Sequence, residues 1–275
     1  MTKKRWMFFL LMTTAAAIAG KSYYDTNVFL TKYVTFTTRK LPADKSIRLL
    51  QISDIHNKQF GRHNKRLINA AMEAEPDMIA VTGDLIDEDT PSITPMLHLM
   101  EALTGVTKNI YFVTGNHDWE HPEVKSFLHG LKERGITVLD NRNTMVEVNG
   151  AVIKLAGIED HYTNRHNLSR AFQGIDEEYY TLLLSHAPLV FQNEKASRAD
   201  LILSGHTHGG QIRFPFIGGV VSPGEGLFPS YEQGTHFFAS GSWIYICKGL
   251  GTSTIPVRFM NQSQMTVVTI EGEEQ

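Results

Sequence analysis

The 275-residue sequence has almost no cysteine, since Cys247 is its only one. A single thiol excludes an intramolecular disulfide framework and a zinc site built from cysteines. The sequence also lacks a strong net charge, because 26 Lys and Arg residues nearly balance 29 Asp and Glu residues. This balance gives no indication of a nucleic-acid partner, since nucleic-acid-binding domains normally carry a basic surface.

Histidine is plentiful where cysteine is scarce, with 12 residues in the chain. A metal site in this protein would therefore have to use mainly His, Asp and Asn side chains. The chain is also 42% hydrophobic and long enough to bury a sizeable core. Its length fits one large domain or two small ones.

A short apolar run follows a basic start. Three basic residues at positions 3–5 precede the run from Trp6 to Ala19, a pattern typical of a secretory signal or signal-anchor over residues 1–20. Removal after Ala19 and retention as an anchor are both open, and a buried N-terminal helix is a third alternative. Because basic residues favour the cytoplasmic side, we expect an exported or membrane-anchored protein with its main domain outside the cytoplasm.

Residues 21–46 are interpreted as a tether, in which Val34 and Phe36 could belong to an edge strand. The main domain is expected over 47–275, without an internal boundary. Its first half alternates short apolar runs with amphipathic stretches, which predicts βαβ units and a parallel or mixed sheet. The predicted strands are 47–53, 77–83 and 109–115, and the predicted helices are 62–74, 91–105 and 122–135.

The second half is predicted to be richer in strands. Asn149 and Gly150 separate two β-type runs, which is a strong hairpin signal. Further strands are predicted within 180–188, 201–210, 235–249 and 265–272.

Metal-binding side chains follow five of the predicted strands, at the point where each strand ends. They are Asp54 and His56, Asp84 and Asp87, Asn116 and His117, His186, and finally His206 and His208. In open α/β sheets, ligands bind just beyond the carboxyl ends of the strands. Acidic and polar groups buried together are costly unless a positive charge lies between them. The pattern therefore predicts a pair of divalent cations.

Five of these residues also have an ordinary alternative. Asp54, Asp84 and Asp87 each precede a predicted helix, so each could be an N-cap. His186 could be a buried histidine with a hydrogen-bond partner, and Asn116 could be a turn residue. It is the ordered set, with each motif behind a strand, that favours metal binding.

The ordered motifs resemble those of the calcineurin-like metallophosphoesterases, from about Leu49 to the C-terminus. The matching motifs are D-x-H at 54–56, G-D-x-x-D at 83–87, G-N-H-D at 115–118, the lone His186 and G-H-x-H at 205–208. The stretches 205–216 and 248–259 resemble the membrane- or envelope-associated subgroup of that family. Some members of the subgroup hydrolyse UDP-2,3-diacylglucosamine, and others are general phosphodiesterases or phosphatases.

The resemblance implies a four-layer α/β/β/α sandwich of two mixed β-sheets flanked by helices, preceded by the N-terminal hydrophobic segment. It also implies two divalent metal ions, for which the mixed N and O ligands suit Mn, Fe or Zn. The implied ligands are Asp54, His56 and His208 for the first metal, Asp84 for both, and Asn116, His186 and His206 for the second.

The resemblance further implies the roles of two catalytic residues. A hydroxide shared by the metals would attack phosphorus, and His117 would stabilise charge or protonate the leaving oxygen. Asp87 would pair with His117 and orient it. The Ser/Thr protein phosphatase branch has arginines after two of these motifs, where this chain has Glu88 and Asp118-Trp119. Protein phosphatase activity is therefore not expected.

The segment 212–231 is rich in Gly and Pro and unusually apolar for a loop. It could be a β-rich extension of the second sheet, or a hydrophobic rim that accepts a lipid tail or faces a membrane. We therefore expect a binuclear metal-dependent phosphodiesterase with a lipid-linked or envelope substrate. The alternatives are a phosphodiesterase or phosphatase for soluble nucleotides and a non-catalytic envelope-binding protein. The sequence indicates no nucleic-acid and no protein partner.

Overall fold

The computed structural model describes residues 3–222, 226–238, 241–253 and 255–274. Parts of three predicted segments, at 223–225, 239–240 and 254, lie outside the described residues. So do the first two residues of the predicted signal segment and the last residue of the predicted domain.

The described chain is a mixed α/β fold with two mixed six-stranded sheets, as expected. Its strands are β1 Leu30–Thr38, β2 Ser46–Ile52, β3 Met78–Thr82, β4 Ile110–Val113, β5 Thr137–Val138, β6 Arg142–Val148, β7 Ala151–Gly157, β8 Tyr180–Leu184, β9 Leu201–Ser204, β10 Arg213–Phe214, β11 Gly218–Gly219, β12 Val221–Ser222, β13 Gly226–Leu227, β14 Gly234–Phe237, β15 Trp243–Ile246 and β16 Gln264–Gly272. Its α-helices are α1 Lys3–Asn27, α2 Lys65–Glu73, α3 Thr94–Leu103, α4 Asn116–Glu120, α5 Val124–Glu133 and α6 Leu168–Ala171, and short 3-10 turns cover Arg62–Asn64, Pro188–Gln192, Glu194–Arg198 and His208–Gly210.

The first sheet has the strand order β1-β16-β2-β3-β4-β5. Strands β2 to β5 are parallel, and β16 runs antiparallel to β2. Because β3 and β4 lie inside the sheet, with neighbours on both sides, all of their residues are buried, which explains their continuous apolar sequence. The carboxyl ends of β2, β3 and β4 therefore meet at one edge.

The second sheet has the order β14-β15-β9-β8-β7-β6, in which β7, β8, β9 and β15 are parallel. Strands β6 and β7 form the predicted hairpin, and Asn149 and Gly150 both have positive φ angles, 53° and 77°. Two consecutive positive φ values suit the tight turns that join twisted hairpin strands. The parallel strands of this sheet place the ends of β8 and β9 next to each other.

Three groups of buried apolar side chains hold the elements together. One contains residues of both sheets, such as Leu49 and Met78 from the first and Ile153 and Leu182 from the second. Another joins the first sheet to α2, α3 and α5, and the third joins the second sheet to α6 and two 3-10 turns. Cys247 is buried and free, as expected of a small apolar residue. The four-layer order itself stays a prediction.

The N-terminal segment forms α1, which includes the whole predicted apolar run. Its residues up to Tyr24 are exposed or half-buried, whereas Asp25 and Thr26 near its end are buried. None of the helices within the described ranges is both long enough and apolar enough to cross a membrane. The expected edge strand is present as β1, which pairs in parallel with β16. Part of the predicted tether is therefore a strand of the first sheet.

The segment 212–231 is not an extension of the second sheet in its described part. It forms two separate two-stranded pairs, β10 with β11 and β12 with β13. Phe214, Phe216 and Ile217 in the first pair, and Leu227 and Phe228 in the second, are exposed. These short apolar pairs therefore stand apart from both six-stranded sheets.

Candidate metal centre

The two sheets bring the predicted side chains together at the carboxyl ends of their parallel strands. The first sheet contributes the residues after β2, β3 and β4, and the second contributes those after β8 and β9. The result is two buried groups of metal-binding residues, Asp54, His56 and His208 in the first and Asp84, His186 and His206 in the second. Within each group the candidate ligand atoms lie within 4.8 Å of one another.

The first group contains buried polar atoms without a hydrogen-bond partner. His208 Nε2 lies 3.8 Å from Asp54 Oδ1. Asp54 Oδ2 and His56 Nε2 have no partner among the described residues, although both atoms are buried. An unpaired polar atom in the interior normally costs about 1–3 kcal/mol, so such atoms indicate that a ligand completes the site.

The second group is arranged around Asp84. His186 donates its Nδ1 hydrogen to the carbonyl oxygen of Thr82 at 2.8 Å, so that Nε2 faces inward. That Nε2 lies 3.0 Å from Asp84 Oδ2 and 3.1 Å from His206 Nδ1. A hydrogen bond from the outer nitrogen to a carbonyl is the usual way in which a histidine is oriented toward a metal.

Asp84 also lies beside the first group. Its Oδ2 atom is 3.7 Å from His56 Nε2, in addition to its contact with His186. One carboxylate oxygen is therefore close to histidines of both groups. A residue in this position can contact two cations.

The main chain at the site is held in an uncommon conformation. Asp54, His56, Asp84, His206 and His208 all have positive φ angles, between 48° and 71°. Such left-handed conformations cost about 1–3 kcal/mol each for residues other than glycine, and they concentrate at functional sites. None of Asp54, Asp84 and Asp87 occupies the N-cap position of a described helix, so the capping alternative is wrong.

The short helix α4 brings Asn116 and His117 to the same edge. Asn116 Oδ1 is buried without a hydrogen-bond partner among the described residues. The main-chain N–H of His117 donates to Asp84 Oδ1 at 3.0 Å, and its ring lies 5.0 Å from that of His56. His117 is thus beside the metal groups without being a member of either.

The partner of His117 is not the one predicted. Asp87 Oδ2 lies 3.4 Å from His56 Nδ1, whereas His117 Nδ1 lies 2.5 Å from Glu120 Oε2. The turn after β3 directs the Asp87 side chain toward His56. Glu120 follows His117 by three residues on α4 and therefore lies on the same face of that helix. The i, i+3 spacing in the sequence NHDWE was the signal that could have identified Glu120.

We therefore expect Asp87→Asn to weaken metal binding through His56 rather than to remove a catalytic proton. Loss of a carboxylate behind a metal-binding histidine typically costs about 10- to 100-fold in metal affinity. Titration calorimetry with Mn²⁺ should show a lowered affinity at one site. Saturating Mn²⁺ should restore most of the rate at which the variant hydrolyses bis-p-nitrophenyl phosphate. A turnover that stays low at saturating Mn²⁺ would contradict this placement.

Asp118 is a buried residue whose role the sequence did not reveal. Its two carboxylate oxygens accept hydrogen bonds from the main-chain N–H groups of Asp84, Leu85, Ile86 and Gly115, at 2.9–3.1 Å. Asp118 therefore joins the loop after β3 to the loop after β4. Burial and the nearby Asp84 carboxylate raise the pKa of Asp118 to about 7.

The buried charges at the site are those that a bound cation would balance. Burial alone would raise the pKa of Asp84, but the adjacent His186 lowers it well below its usual range. Burial likewise opposes a charge on His186, yet the Asp84 carboxylate raises the pKa of that histidine. Asp54 has its pKa raised by burial and by Asp84. A bound cation would compensate these carboxylates and displace the proton of His186.

The loop after β7 lies on the His206 side of the site. The ring of Tyr162 stacks on that of His206 at 4.4 Å, and Asp160 accepts a hydrogen bond from the main-chain N–H of Thr163 that closes the turn. Arg165 lies over the ring of Trp119 in α4, 4.0 Å from the ring centre. No ion pair of Arg165 is found within the described ranges.

The donor set therefore fits two divalent cations. It combines carboxylate, imidazole and amide atoms, several of which are buried and unpaired, in two adjacent groups. Imidazole together with carboxylate suits Mn, Fe and Zn alike, so the residues do not select one metal.

Comparison with known proteins agrees with this geometry. A family model described as calcineurin-like phosphoesterase matches residues 47–210, which is more than half of the chain and includes every residue of both metal groups. A Bacillus subtilis protein described as uncharacterized metallophosphoesterase YkoQ is 29% identical over 230 residues, which cover 82% of this chain and 84% of that protein.

Two further similarities extend the comparison. A Bos taurus protein described as a transmembrane protein with metallophosphoesterase domain is 28% identical, over 96% of this chain and 62% of that protein. Among solved structures, a 5'-nucleotidase precursor from Thermus thermophilus superimposes with a TM-score of 0.50 at 12% identity, over 82% of this chain. This chain spans only 54% of that structure, and the likeness concerns the fold alone.

Proposed function

The chain belongs to the calcineurin-like phosphoesterase family and is a phosphoric ester hydrolase, and we propose that it acts as a binuclear metal-dependent phosphodiesterase. The observation that carries the proposal is the pair of adjacent buried groups with their unpaired ligand atoms. A non-catalytic binding protein on the same scaffold is disfavoured. A degenerate site would normally lack a metal ligand or the acid, whereas this chain has both metal groups and the His117–Glu120 pair.

The proposed ligands follow from the two groups. Asp54, His56 and His208 would hold the first metal, His186 and His206 would hold the second, and Asp84 would contribute to both. Asn116, whose Oδ1 is buried without a hydrogen-bond partner among the described residues, would join the second. When bound, two such ions supply a nucleophilic water of lowered pKa and neutralise charge on the phosphoryl oxygens. Thr82, through its carbonyl oxygen, keeps His186 Nε2 directed at Asp84, where it would be available to the second metal.

His117 is proposed to act on the leaving oxygen. Its Nδ1 faces Glu120 at 2.5 Å, which favours a proton on Nδ1 and holds the ring in place. Its Nε2 lies 3.5 Å from Ser253 Oγ. With both ring nitrogens protonated and the Glu120 carboxylate facing Nδ1, the imidazolium could give its Nε2 proton to the departing alcohol or stabilise the charge on that oxygen.

The proposal is tested by hydrolysis of bis-p-nitrophenyl phosphate by the purified full-length chain with added Mn²⁺, Fe²⁺ or Zn²⁺. We expect turnover that a chelator abolishes and metal restores. A protein shown to contain two metal ions per chain that releases no p-nitrophenol with any of them would refute the activity.

A lipid-linked or cell-envelope substrate is the finer proposal. The apolar pairs β10–β11 and β12–β13 follow directly after the His208 turn, and they present the exposed side chains of Phe214, Phe216, Ile217, Leu227 and Phe228. Helix α1 adds a second exposed apolar surface over residues 6–12. Both surfaces suit a substrate with an acyl chain, and α1 would hold the domain of residues 47–275 at a membrane on its extracytoplasmic side.

A soluble nucleotide is the second candidate, and the loop after β7 favours it. Tyr162, Trp119 and Arg165 offer aromatic faces and a cation on the second-metal side of the site. Comparing turnover of UDP-2,3-diacylglucosamine with that of cyclic nucleotides separates the two candidates. Faster turnover of the lipid supports the first, and faster turnover of the nucleotides supports the second.

We expect Arg165→Ala to raise KM for an anionic substrate about 10-fold or less, with kcat nearly unchanged, because exposed charges contribute only modest binding energy. Arg170→Ala is a matched control. Both arginines are exposed, and Arg165 is the one that lies over the ring of Trp119. Equal KM values for the two variants would show that Arg165 does not contact substrate.

A further inference from the structure

Arg258 is a fully buried cation that lies between the metal centre and the N-terminal helix. Its side chain is 0% exposed, and within the described residues no carboxylate lies at ion-pair distance from it. Burying a guanidinium in this way is costly unless its N–H groups find acceptors. The acceptors of Arg258 are main-chain carbonyl groups around the first metal group.

These hydrogen bonds connect Arg258 to two of the three residues in the first group. Nε and Nη2 donate to the carbonyl oxygen of Gly251 at 2.9 and 2.7 Å, and Nη2 also donates to that of Lys248 at 2.7 Å. Nη1 donates to the carbonyl oxygen of His208 at 3.2 Å, and Nη2 lies 3.3 Å from His208 Nδ1. The N–H of Gly251 in turn donates to the carbonyl oxygen of Asp54 at 2.5 Å.

The main chain that these hydrogen bonds support, at His208 and Asp54, is in a strained conformation. His208 and Asp54 have φ angles of 50° and 52°, in the left-handed region. Strained residues keep such conformations only when the surroundings hold them there. Asn261 adds a second restraint, because its Nδ2 donates to the His208 carbonyl oxygen at 2.6 Å.

Arg258 and Asn261 are held, on their other side, by the last two turns of α1. The main-chain N–H of Arg258 donates to Thr26 Oγ1 at 2.8 Å, and Ser22 Oγ donates to the carbonyl oxygen of Arg258 at 2.9 Å. The main-chain N–H of Asn261 donates to Asp25 Oδ2 at 3.3 Å. The end of the helix thus holds both residues that restrain His208.

The second metal group is supported from elsewhere. His186 is oriented by Thr82 in β3, and the loop of Asp84 is held by Asp118. Within the described ranges, no hydrogen bond of Arg258 or of residues 22–26 reaches Asp84, His186 or Asn116. Asp84 and His186 therefore lie outside the support that Arg258 gives, whereas His206 is connected to the first group through its main-chain N–H, which donates to Asp54 Oδ1 at 2.9 Å.

We infer that Arg258 is a positioning residue for the first metal and that residues 22–26 of the N-terminal helix belong to the same support. Disturbing either one lowers the occupancy of the first metal and leaves the second in place. The inference rests on the proposed binuclear centre. It makes the N-terminal helix a structural part of the active site in addition to any role in membrane attachment.

The test uses the full-length chain, with Mn²⁺ alone as the probe. We compare Arg258→Met, Arg258→Lys and Thr26→Val with the wild type and with Thr13→Val. Thr13 is a matched control because it lies on the exposed part of the same helix and bonds only to that helix. Metal per chain is measured by elemental analysis, affinity by calorimetry, and metal pairing by electron paramagnetic resonance.

The wild type and Thr13→Val should bind two Mn²⁺ ions with the spectrum of a coupled pair. Arg258→Met should retain one ion, with the spectrum of isolated Mn²⁺. Thr26→Val and Arg258→Lys should keep both ions, with the affinity of one site lowered about 10-fold and that of the other unchanged. Far-UV circular dichroism checks that each variant is folded. If Arg258→Met does not fold, the metal affinities of Thr26→Val and Arg258→Lys decide the question.

Two results overturn the inference. One is parallel weakening of both sites, which would make Arg258 a general stabiliser of the fold. The other is unchanged binding at both sites in all three variants. A wild type that binds fewer than two Mn²⁺ ions contradicts the proposed function instead, so the two failures are distinguishable.

Discussion

Asp84→Asn should abolish metal binding and hydrolysis together. Asp84 Oδ2 lies 3.0 Å from His186 Nε2 and 3.7 Å from His56 Nε2, so the substitution removes the one negative charge that both metal groups share. We expect the turnover of bis-p-nitrophenyl phosphate to fall by at least about 1000-fold, which corresponds to about 4 kcal/mol. Elemental analysis should show that metal is lost as well.

Asp84→Asn is a suitable test of the metal role of Asp84 because it adds little backbone strain. Asp84 has a φ of 54°, and asparagine adopts left-handed conformations more readily than most residues. The Oδ1 atom of Asn can still accept the hydrogen bond from the His117 main chain. Asp44→Asn is the matched control, since Asp44 is exposed and its carboxylate pairs with Lys45. Near-normal hydrolysis by Asp84→Asn would refute a metal role for this residue.

His117→Ala should lose hydrolysis but keep both metals. Its ring lies beside the two groups and belongs to neither, so metal content should remain that of the wild type. General acid catalysis contributes about 10²- to 10⁴-fold, which sets the expected loss of kcat. The loss should be smaller for p-nitrophenol, which leaves readily without a proton, than for an alkyl alcohol.

His129→Ala is the control for His117→Ala, because His129 is an exposed histidine that pairs with Glu133. Glu120→Gln should lose part of the same activity, since the ring of His117 would lack its carboxylate partner. Equal losses for the p-nitrophenyl and alkyl substrates would argue against any role of His117 at the leaving oxygen, because proton donation and charge stabilisation there both matter more for the poorer leaving group. Loss of metal from His117→Ala would show that His117 belongs to the metal centre itself.

Much of the site could be predicted because its residues lie at strand ends. Buried parallel strands are recognisable as apolar runs, and the carboxyl ends of neighbouring parallel strands meet at one edge. That reasoning placed Asp54, Asp84 and His186 near one another although they are far apart in sequence. The structure gathers them into the two adjacent groups.

The supporting contacts could not be predicted in the same way. Asp87 faces His56 instead of His117 because of the turn after β3, whose main-chain path no periodic pattern describes. Asp118 looked like one more acidic residue of a motif, yet its four N–H donors come from two different loops. The segment 212–231 was apolar enough for a sheet extension, but its short pairs stand apart from both sheets.

The sequence by itself determined most of the longer strands and helices, their order, and the types of side chain that follow the strands, because these depend on local patterns and residue types. Only the tertiary structure decided how the site is supported. Arg258 and Thr26 meet across 232 positions of the chain, and their contact depends on the docking of a helix against a loop. Such contacts arise from the shape of the packed chain, which no single segment encodes.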